Sequence, residues 1–347
     1  MLTEEMLKLI DEHCTVDQIQ NLLREYKEDY PKTVFVAGDA KSKVIDNLKK
    51  ASDAGAIPLV RVQNLLRECE ENGRQHIFYY TPDADTLQQL RKPEECAAKL
   101  IGKNWMKMGF PRYEERPLEY VWVDFRVKED GRASNWIAKL YGHEEHEVFV
   151  SEERGQNNRI TRYYQLESSR AIGLIRWHNR DKLLEIRVST APSQAIVRSR
   201  LETVQRMIEP LLNPDFGSHF AVFDLSGVMK DLILYRQQNS HVYTIHNAVL
   251  IDSESGKVIF RPQVPEESID GAVERGRALD GITRHRNSEV EYLTLTWLES
   301  DSGTNLDADL HCVLGGRGLA NRMIIQRKTT SKAIEYVKGQ LITIAGR

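Results

Sequence analysis

Positive charge and aromatic side chains are interleaved in one short stretch, residues 96–118. It has five lysines and arginines against two acidic residues. Lys99, Lys103 and Lys107 are four apart, a spacing that places side chains on one side of a helix. Arg112 follows, and the stretch also contains the aromatic residues Trp105, Phe110 and Tyr113. Because lysine and arginine neutralise phosphates and exposed rings stack on bases, the pattern predicts contact with a nucleic acid.

A second basic cluster, containing Lys41 and Lys43, lies nearer the N-terminus, where Asp39 and Asp46 dilute it. Scattered arginines elsewhere are typical of solvated surface. The predicted nucleic-acid-binding residues are therefore Lys99, Lys103, Lys107, Arg112, Lys41 and Lys43. The alternative interpretation is a solvated helix face whose aromatic residues anchor two domains to each other.

Three other patterns could carry chemistry, and each has a simpler explanation. Gly315–Gly318 is glycine-rich, but it lies between two predicted strands, which indicates a hairpin turn rather than a phosphate loop. His143 and His146 could share a metal on a helix, but Gly142 and the flanking strand patterns predict a hairpin loop. Glu185-Ile186-Arg187 resembles the acidic end of a nuclease core, yet an alternating strand explains it better. No catalytic, cofactor-binding or metal-binding residue is therefore predicted.

The composition is that of a globular protein. The net charge is −3, the hydrophobic fraction 41% and the charged fraction 29%, which does not mark a strong polyanion binder or a disordered chain. No apolar run is long enough for a membrane span, and the acidic N-terminus does not resemble a signal peptide. The four cysteines form no Cys-x-x-Cys pair and are expected to be reduced and buried. A cytoplasmic protein, or a nuclear one in a eukaryote, is expected.

The first 95 residues predict a bundle of short helices. Thr3 can cap a helix over residues 4–13, and Thr15 with Gln18 forms a capping box. Further helices are predicted at about 40–51, 59–72 and 83–101. A short buried segment is predicted at 77–80.

At about Met108 the apolar period changes from 3.6 to 2, which predicts strands from residue 119 onward. The predicted strands are 119–127, 134–141, 146–150, 158–166, 170–178, 182–190, 242–252, 257–262, 288–299, 308–314 and 320–328. Helices are predicted from Ser193 and from Ser331. The predicted class is α+β, with a helical bundle (1–95), a basic hinge (96–118) and two antiparallel α+β units (119–216 and 217–347). The alternative is one α+β domain of about 230 residues after the hinge.

Two early helical segments, Ile19–Tyr26 and Ser42–Leu48, and the strand Tyr120–Val127 are similar in placement to elements of a known family. The chain resembles the inner-kinetochore CENP-N family over about residues 12–190. The resemblance implies a pyrin-like helical domain, a β-rich domain, and a non-enzymatic protein that grips DNA or a nucleoprotein. No diagnostic motif anchors it, so no contact residue is carried over.

Three functions follow from these observations. The first is non-catalytic nucleic-acid binding or nucleoprotein assembly through the basic residues. The second is a protein–protein scaffold, for which an exposed apolar patch on the helical module is expected. The third is an unrecognised enzyme such as a nuclease, for which a pocket with converging acids or histidines is expected. The expected partners are DNA, a nucleoprotein or a protein complex, without a membrane and without a cofactor.

Overall fold

The structure, a computed structural model, describes the chain from residue 2 to residue 346 with several gaps. The gaps are residues 108–110, 113–116, 131–132, 156–158, 213–214, 252–255, 263, 265–266, 286–287, 300–305, 307 and 317. The predicted α+β class is confirmed, with helices preceding the sheet region. Among the described residues no helix has the length and apolar character needed to cross a bilayer.

The α-helices of the described residues are mostly short. They are Glu4–His13 (α1), Val16–Lys27 (α2), Lys41–Asp53 (α3), Leu59–Glu71 (α4), Ala84–Leu90 (α5), Pro93–Leu100 (α6), Gln194–Ile208 (α7), Phe216–His219 (α8), Ser226–Leu234 (α9), Val273–Arg284 (α10) and Ser331–Ala345 (α11). The side chains of Thr3 and Ser193 accept capping bonds, and Thr15 forms the predicted capping box with Gln18. These caps begin the helices at the predicted positions because they satisfy otherwise unpaired backbone N–H groups.

The strands differ widely in length. They are Gln75–Pro82 (β1), Val121–Asp130 (β2), Ala133–Arg154 (β3), Ile160–His178 (β4), Leu183–Ser189 (β5), Phe220–Val222 (β6), Tyr243–Ile251 (β7), Lys257–Phe260 (β8), Glu289–Trp297 (β9), Leu310–Gly315 (β10) and Arg322–Ile325 (β11). The strand pairs within each unit described below are antiparallel.

The chain folds as two compact units, Met1–Pro82 with Phe220–Arg347 (the discontinuous unit) and Asp83–His219 (the central unit). This division differs from the four predicted segments. The reason is β1, which lies inside the predicted helical bundle but pairs with β11, with Gln75 opposite Ile325. Six successive buried residues in β1 favour a fully covered strand, and its backbone pairs with the distant strands β6 and β11.

In the discontinuous unit the strand order is β1-β11-β10-β9-β7-β8, and β6 pairs with the end of β1. One core of this unit is formed by β1, β7, β9, β10 and β11 with α9, α10 and α11. Helices α9 and α10 were not predicted. Gly227 lies in the first and Gly276 and Gly281 lie in the second, and glycine lowers helix propensity.

In the central unit, β2, β3, β4 and β5 form a meander. Helix α7 packs closely on β4, since a Cβ at Gly173 would lie 2.8 Å from the Val204 side chain. The buried Trp136 of β3 donates its indole N–H to the Leu90 carbonyl at 2.8 Å, which fixes the end of α5 against the sheet.

In two places the sequence predicted two short strands where the structure has one long strand. β3 covers the predicted 134–141 and 146–150, and β4 covers 158–166 and 170–178. The predicted hairpin loop at His143–His146 is therefore wrong, because these residues pair in register with 167–170 of β4. The predicted turn at Gly315–Gly318 includes residue 317, which lies outside the described residues.

Glu185 on β5 is the centre of a buried ionic cluster in the central unit. Arg187 binds one carboxylate oxygen, Arg176 lies 3.8 Å from the same oxygen, and His178 Nε2 lies 3.1 Å from the other. Burial acts to raise the pKa of Glu185, but Arg187, His178 and Arg176 outweigh it and hold the pKa well below its ordinary value. Both oxygens are engaged, so the geometry favours a structural ion cluster over the nuclease interpretation of Glu185-Ile186-Arg187.

We expect Glu185→Gln to destabilise the protein by about 3–5 kcal/mol, because the substitution leaves buried cations without their counter-charge. Urea unfolding would measure this free energy. Exposed Glu202 on α7 provides the control, since Glu202→Gln should change stability by less than about 0.5 kcal/mol. Equal effects of the two substitutions would contradict the role assigned to Glu185.

Candidate protein interface

The outer halves of β3 and β4 extend beyond the rest of their sheet as a two-stranded ribbon. The ribbon runs from the pair Gly142–Ala171 to the pair Arg154–Ile160. β2 pairs with β3 only as far as Tyr141, and β5 pairs with β4 only from Gly173. Over the described part of the central unit, both outer edges of the ribbon therefore lack a third strand. At about 3.4 Å per residue the ribbon is about 40 Å long.

The base of the ribbon is held by a close contact and an ion pair. A Cβ at Gly142 would lie 2.7 Å from ring carbons of Tyr120, so only glycine lets the Tyr120 ring lie against this backbone. Tyr120 donates its hydroxyl to Glu144 at 3.2 Å, and Arg200 Nε donates to the same carboxylate oxygen at 2.6 Å. Burial, followed by the Glu144 charge, raises the pKa of Tyr120, which keeps its hydroxyl protonated as a donor.

Arg200 connects this carboxylate on β3 to the end of β5, across β4. Its Nη2 pairs with the second oxygen of Glu144, while Nη1 donates to the carbonyls of Ser189 at 2.7 Å and Thr190 at 2.8 Å. Arg200 is 5% exposed, so these bonds form away from bulk water, where a bidentate charged pair is strong. The end of β5 and helix α7 thereby fix the direction of the ribbon.

Beyond its base, the ribbon exposes large apolar side chains to solvent. They are Phe149, Val150, Ile160, Tyr163, Tyr164 and Leu166. Phe149 and Tyr164 are directly opposite each other, and their rings meet edge to face at 6.0 Å. Because paired residues share a face, Phe149, Tyr164, Leu166 and Ile160 lie on one face of the ribbon, and Tyr163 lies on the other. We call the face with Phe149 the apolar face.

Charge on the ribbon is mixed and slightly acidic. Residues 143–170 contain six glutamates and four arginines, a net charge of −2. On the apolar face Arg162 Nε lies 3.0 Å from its opposite residue Glu152. Glu145 and Glu147 are exposed towards the base, and Arg154 is exposed at the outer end. The apolar centre is thus flanked by an acidic end and a basic end.

The predicted alignment of Lys99, Lys103 and Lys107 on one helix face is wrong. Helix α6 ends at Leu100, and Gly102 follows with a φ of +119°, a left-handed conformation that stops a helix. Lys99 donates to Gln89 at 3.2 Å, Lys103 lies in a turn, and Lys107 ends the 3-10 helix Trp105–Lys107. The three side chains come from three different local structures.

The other predicted site residues lie apart or within packed regions. Arg112 is half-buried, and its backbone N–H donates to Val123 at 2.9 Å. Trp105 packs edge-on against Phe125 with ring centres 5.2 Å apart, while Phe110 and Tyr113 lie outside the described residues.

The second predicted basic cluster belongs to the discontinuous unit. Lys41 lies 3.3 Å from the Asp11 carboxylate, and Lys43 is exposed on α3. That unit also exposes apolar side chains of the helical module. They are Tyr30, Phe35, Leu59 and Val60, from two separate segments.

One hydrogen-bonded chain of the discontinuous unit was not predicted. His246 Nδ1 lies 3.0 Å from the Glu267 carbonyl, so this nitrogen carries a proton. His246 Nε2 lies 2.7 Å from Thr296 Oγ1, which lies 2.6 Å from His311 Nδ1. These residues occupy neighbouring strands β7, β9 and β10, which is why no local sequence pattern reveals them. Because the Thr296 hydroxyl has a single proton to donate, the tautomer of one histidine ring constrains the tautomer of the other.

No protein-family model matches this chain, and no curated protein matches it significantly.

We expect Gly142→Ala to destabilise the central unit by about 1–3 kcal/mol, because the added methyl group would overlap the Tyr120 ring. Thermal unfolding would measure the loss. Gly155 at the outer end of the ribbon is the matched control, since its Cβ would meet nothing closer than 3.7 Å. A Gly142→Ala protein as stable as Gly155→Ala would contradict the close contact.

We also expect stability to depend on His311 between about pH 7 and pH 5. Burial, followed by Arg327 and His246, lowers the pKa of His311 in the folded state below its ordinary 6.5. The unfolded chain therefore takes up the proton first as the pH falls, so this contribution is present above pH 6.5 and is lost on acidification. His311→Gln should flatten the dependence of Tm on pH in this range; an unchanged slope would contradict it.

Proposed function

We propose that this chain is a non-catalytic assembly protein that binds another protein through the apolar face of its ribbon. The observation that supports this most is the exposed cluster of Phe149, Tyr164 and Leu166 on a strand pair without a third strand. Large exposed apolar surface next to unpaired strand edges is costly in a monomer and favours association. The anchored base supports the same proposal, because a fixed ribbon loses little entropy on binding.

Charge favours a protein over a nucleic acid as the ligand of the ribbon. A phosphate backbone is bound by an excess of lysine and arginine, whereas residues 143–170 have more carboxylates than arginines. Exposed charged residues on both sides of an apolar centre suit a protein surface with a polar rim. This proposal follows the scaffold hypothesis but assigns the docking surface to the ribbon instead of the helical module.

Nucleic-acid binding stays a prediction: the charge pattern assigns it to Lys99, Lys103, Lys107, Arg112, Lys41 and Lys43, and the CENP-N resemblance implies DNA or nucleoprotein binding without naming residues. The positions of these residues in separate local structures give it less support than the ribbon gives protein binding.

A photo-reactive phenylalanine analogue at Tyr164 tests the proposal. Tyr164 is 52% exposed on the apolar face, and neighbouring Tyr163 is 45% exposed on the opposite face, which makes Tyr163 the matched control position. Irradiation in cells should give a stoichiometric protein adduct from position 164 and much less from position 163. Mass spectrometry of the adduct would identify its partner. Phe149→Ser should weaken the adduct from position 164 at least tenfold.

Two results would contradict the proposal. One is the absence of a protein adduct at both positions. The other is a shift of a labelled DNA duplex at low salt that Lys99→Glu, Lys103→Glu and Lys107→Glu together abolish while Phe149→Ser leaves it unchanged. The second result would support the nucleic-acid prediction instead.

A further inference from the structure

We propose that the protein bound by the apolar face is a second copy of this chain. The two ribbons are antiparallel and are related by a twofold axis that lies between them, perpendicular to the strands, at the level of Phe149 and Tyr164. This inference rests on the proposed function, that the ribbon binds protein. Its basis is the order of residues along the apolar face, which is complementary to itself when reversed. Twofold contacts require this self-complementarity, because the same patch serves both copies.

The apolar face extends equally far on both sides of its centre, the pair Phe149–Tyr164. In β4, Tyr164 is opposite Phe149, Ile160 is opposite Arg154, and Ser168 is opposite Glu145. Ile160 and Ser168 are each four residues from Tyr164, so Arg154 and Glu145 lie about 14 Å from the centre in opposite directions. Reversing a second ribbon over the first therefore brings Arg154 of each copy to Glu145 of the other.

Both charged side chains are available for such a contact. The side chain of Arg154 is 83% exposed, and its distance to Glu152 is 4.0 Å, at the limit of an ion pair. Glu145 is 56% exposed, and its carboxylate lies 3.5 Å from His143 Nε2. Face-to-face sheets cross at about −30°. At about 14 Å from the axis this crossing displaces Arg154 from Glu145 of the other copy by about 7 Å, a distance that these long side chains can span.

The steps between centre and ends are also compatible with reversal. Two residues from Tyr164 on either side, reversal places Glu147 over Glu152 and Leu166 over Arg162 of the other copy, because each strand lies over its own equivalent. Arg162 Nε lies 3.0 Å from Glu152, so its guanidinium offsets part of the repulsion between the two carboxylates. At the centre, rings of Phe149 and Tyr164 from both copies would be covered.

The size of the face predicts a weak dimer. A ribbon of about 40 Å by 10 Å buries about 400 Å² per copy, below the range of stable complexes. We therefore expect a concentration-dependent equilibrium that is observed at tens to hundreds of micromolar. Sedimentation equilibrium of the full chain over this range is the appropriate measurement.

A charge exchange at the two ends tests the geometry. Glu145→Arg places arginine at both ends of the apolar face, and Arg154→Glu places glutamate at both ends. Each variant alone should dimerise at least tenfold more weakly than the wild type, whereas an equimolar mixture of the two should recover the dimer. The double variant, Glu145→Arg with Arg154→Glu, should also recover it, because the ends are exchanged. Phe149→Ser should abolish dimers in every combination, and thermal unfolding would confirm that each variant is folded.

Two results would overturn the inference. One is a wild type that remains monomeric to several hundred micromolar. The other is a mixture of the single variants that dimerises no better than each alone. These results differ from failure of the proposed function, because a position-164 adduct with a different protein would leave that function intact and overturn only the identity of the partner.

Discussion

The bidentate contact between Arg200 and Glu144 fixes the most exposed part of this protein. A two-stranded ribbon without a third strand is marginally stable in water and can twist about its base. Here Tyr120 lies against Gly142 on one side, and Arg200 joins the ribbon to the end of β5 and to α7. The ribbon is therefore directed by interactions within its first three residue pairs, which leaves its outer residues free to present side chains.

Glutamate has three different roles in the central unit, each set by its surroundings. Glu185 is buried among cations that keep it ionised, and it stabilises the sheet. Glu144 is partly buried and positions the ribbon, whereas Glu145 and Glu147 are exposed along it. Residue type alone did not separate these roles, because burial decides whether a carboxylate acts on the fold or on a partner.

Local patterns predicted local structure well. The Thr3, Thr15 and Ser193 caps, the helices that follow them and most strands are where the sequence indicated, because caps and apolar periods act over a few residues. The ribbon was not predicted, since the polar run 143–147 has no alternation to distinguish a solvated strand from a loop. The lysine alignment failed at Gly102, and the His246–Thr296–His311 chain depends on strand order, which one sequence does not reveal.

The pairing of β1 with β11 has a consequence for synthesis on the ribosome. Tyr79 accepts a hydrogen bond from Asn321, 242 residues later, so the first helices cannot join their sheet until most of the chain has emerged. The central unit, whose contacts are nearer in sequence, can be complete by then. During translation the apolar strand Ile77–Tyr80 therefore stays unpaired until β11 is synthesised, and an unpaired apolar strand is prone to aggregation.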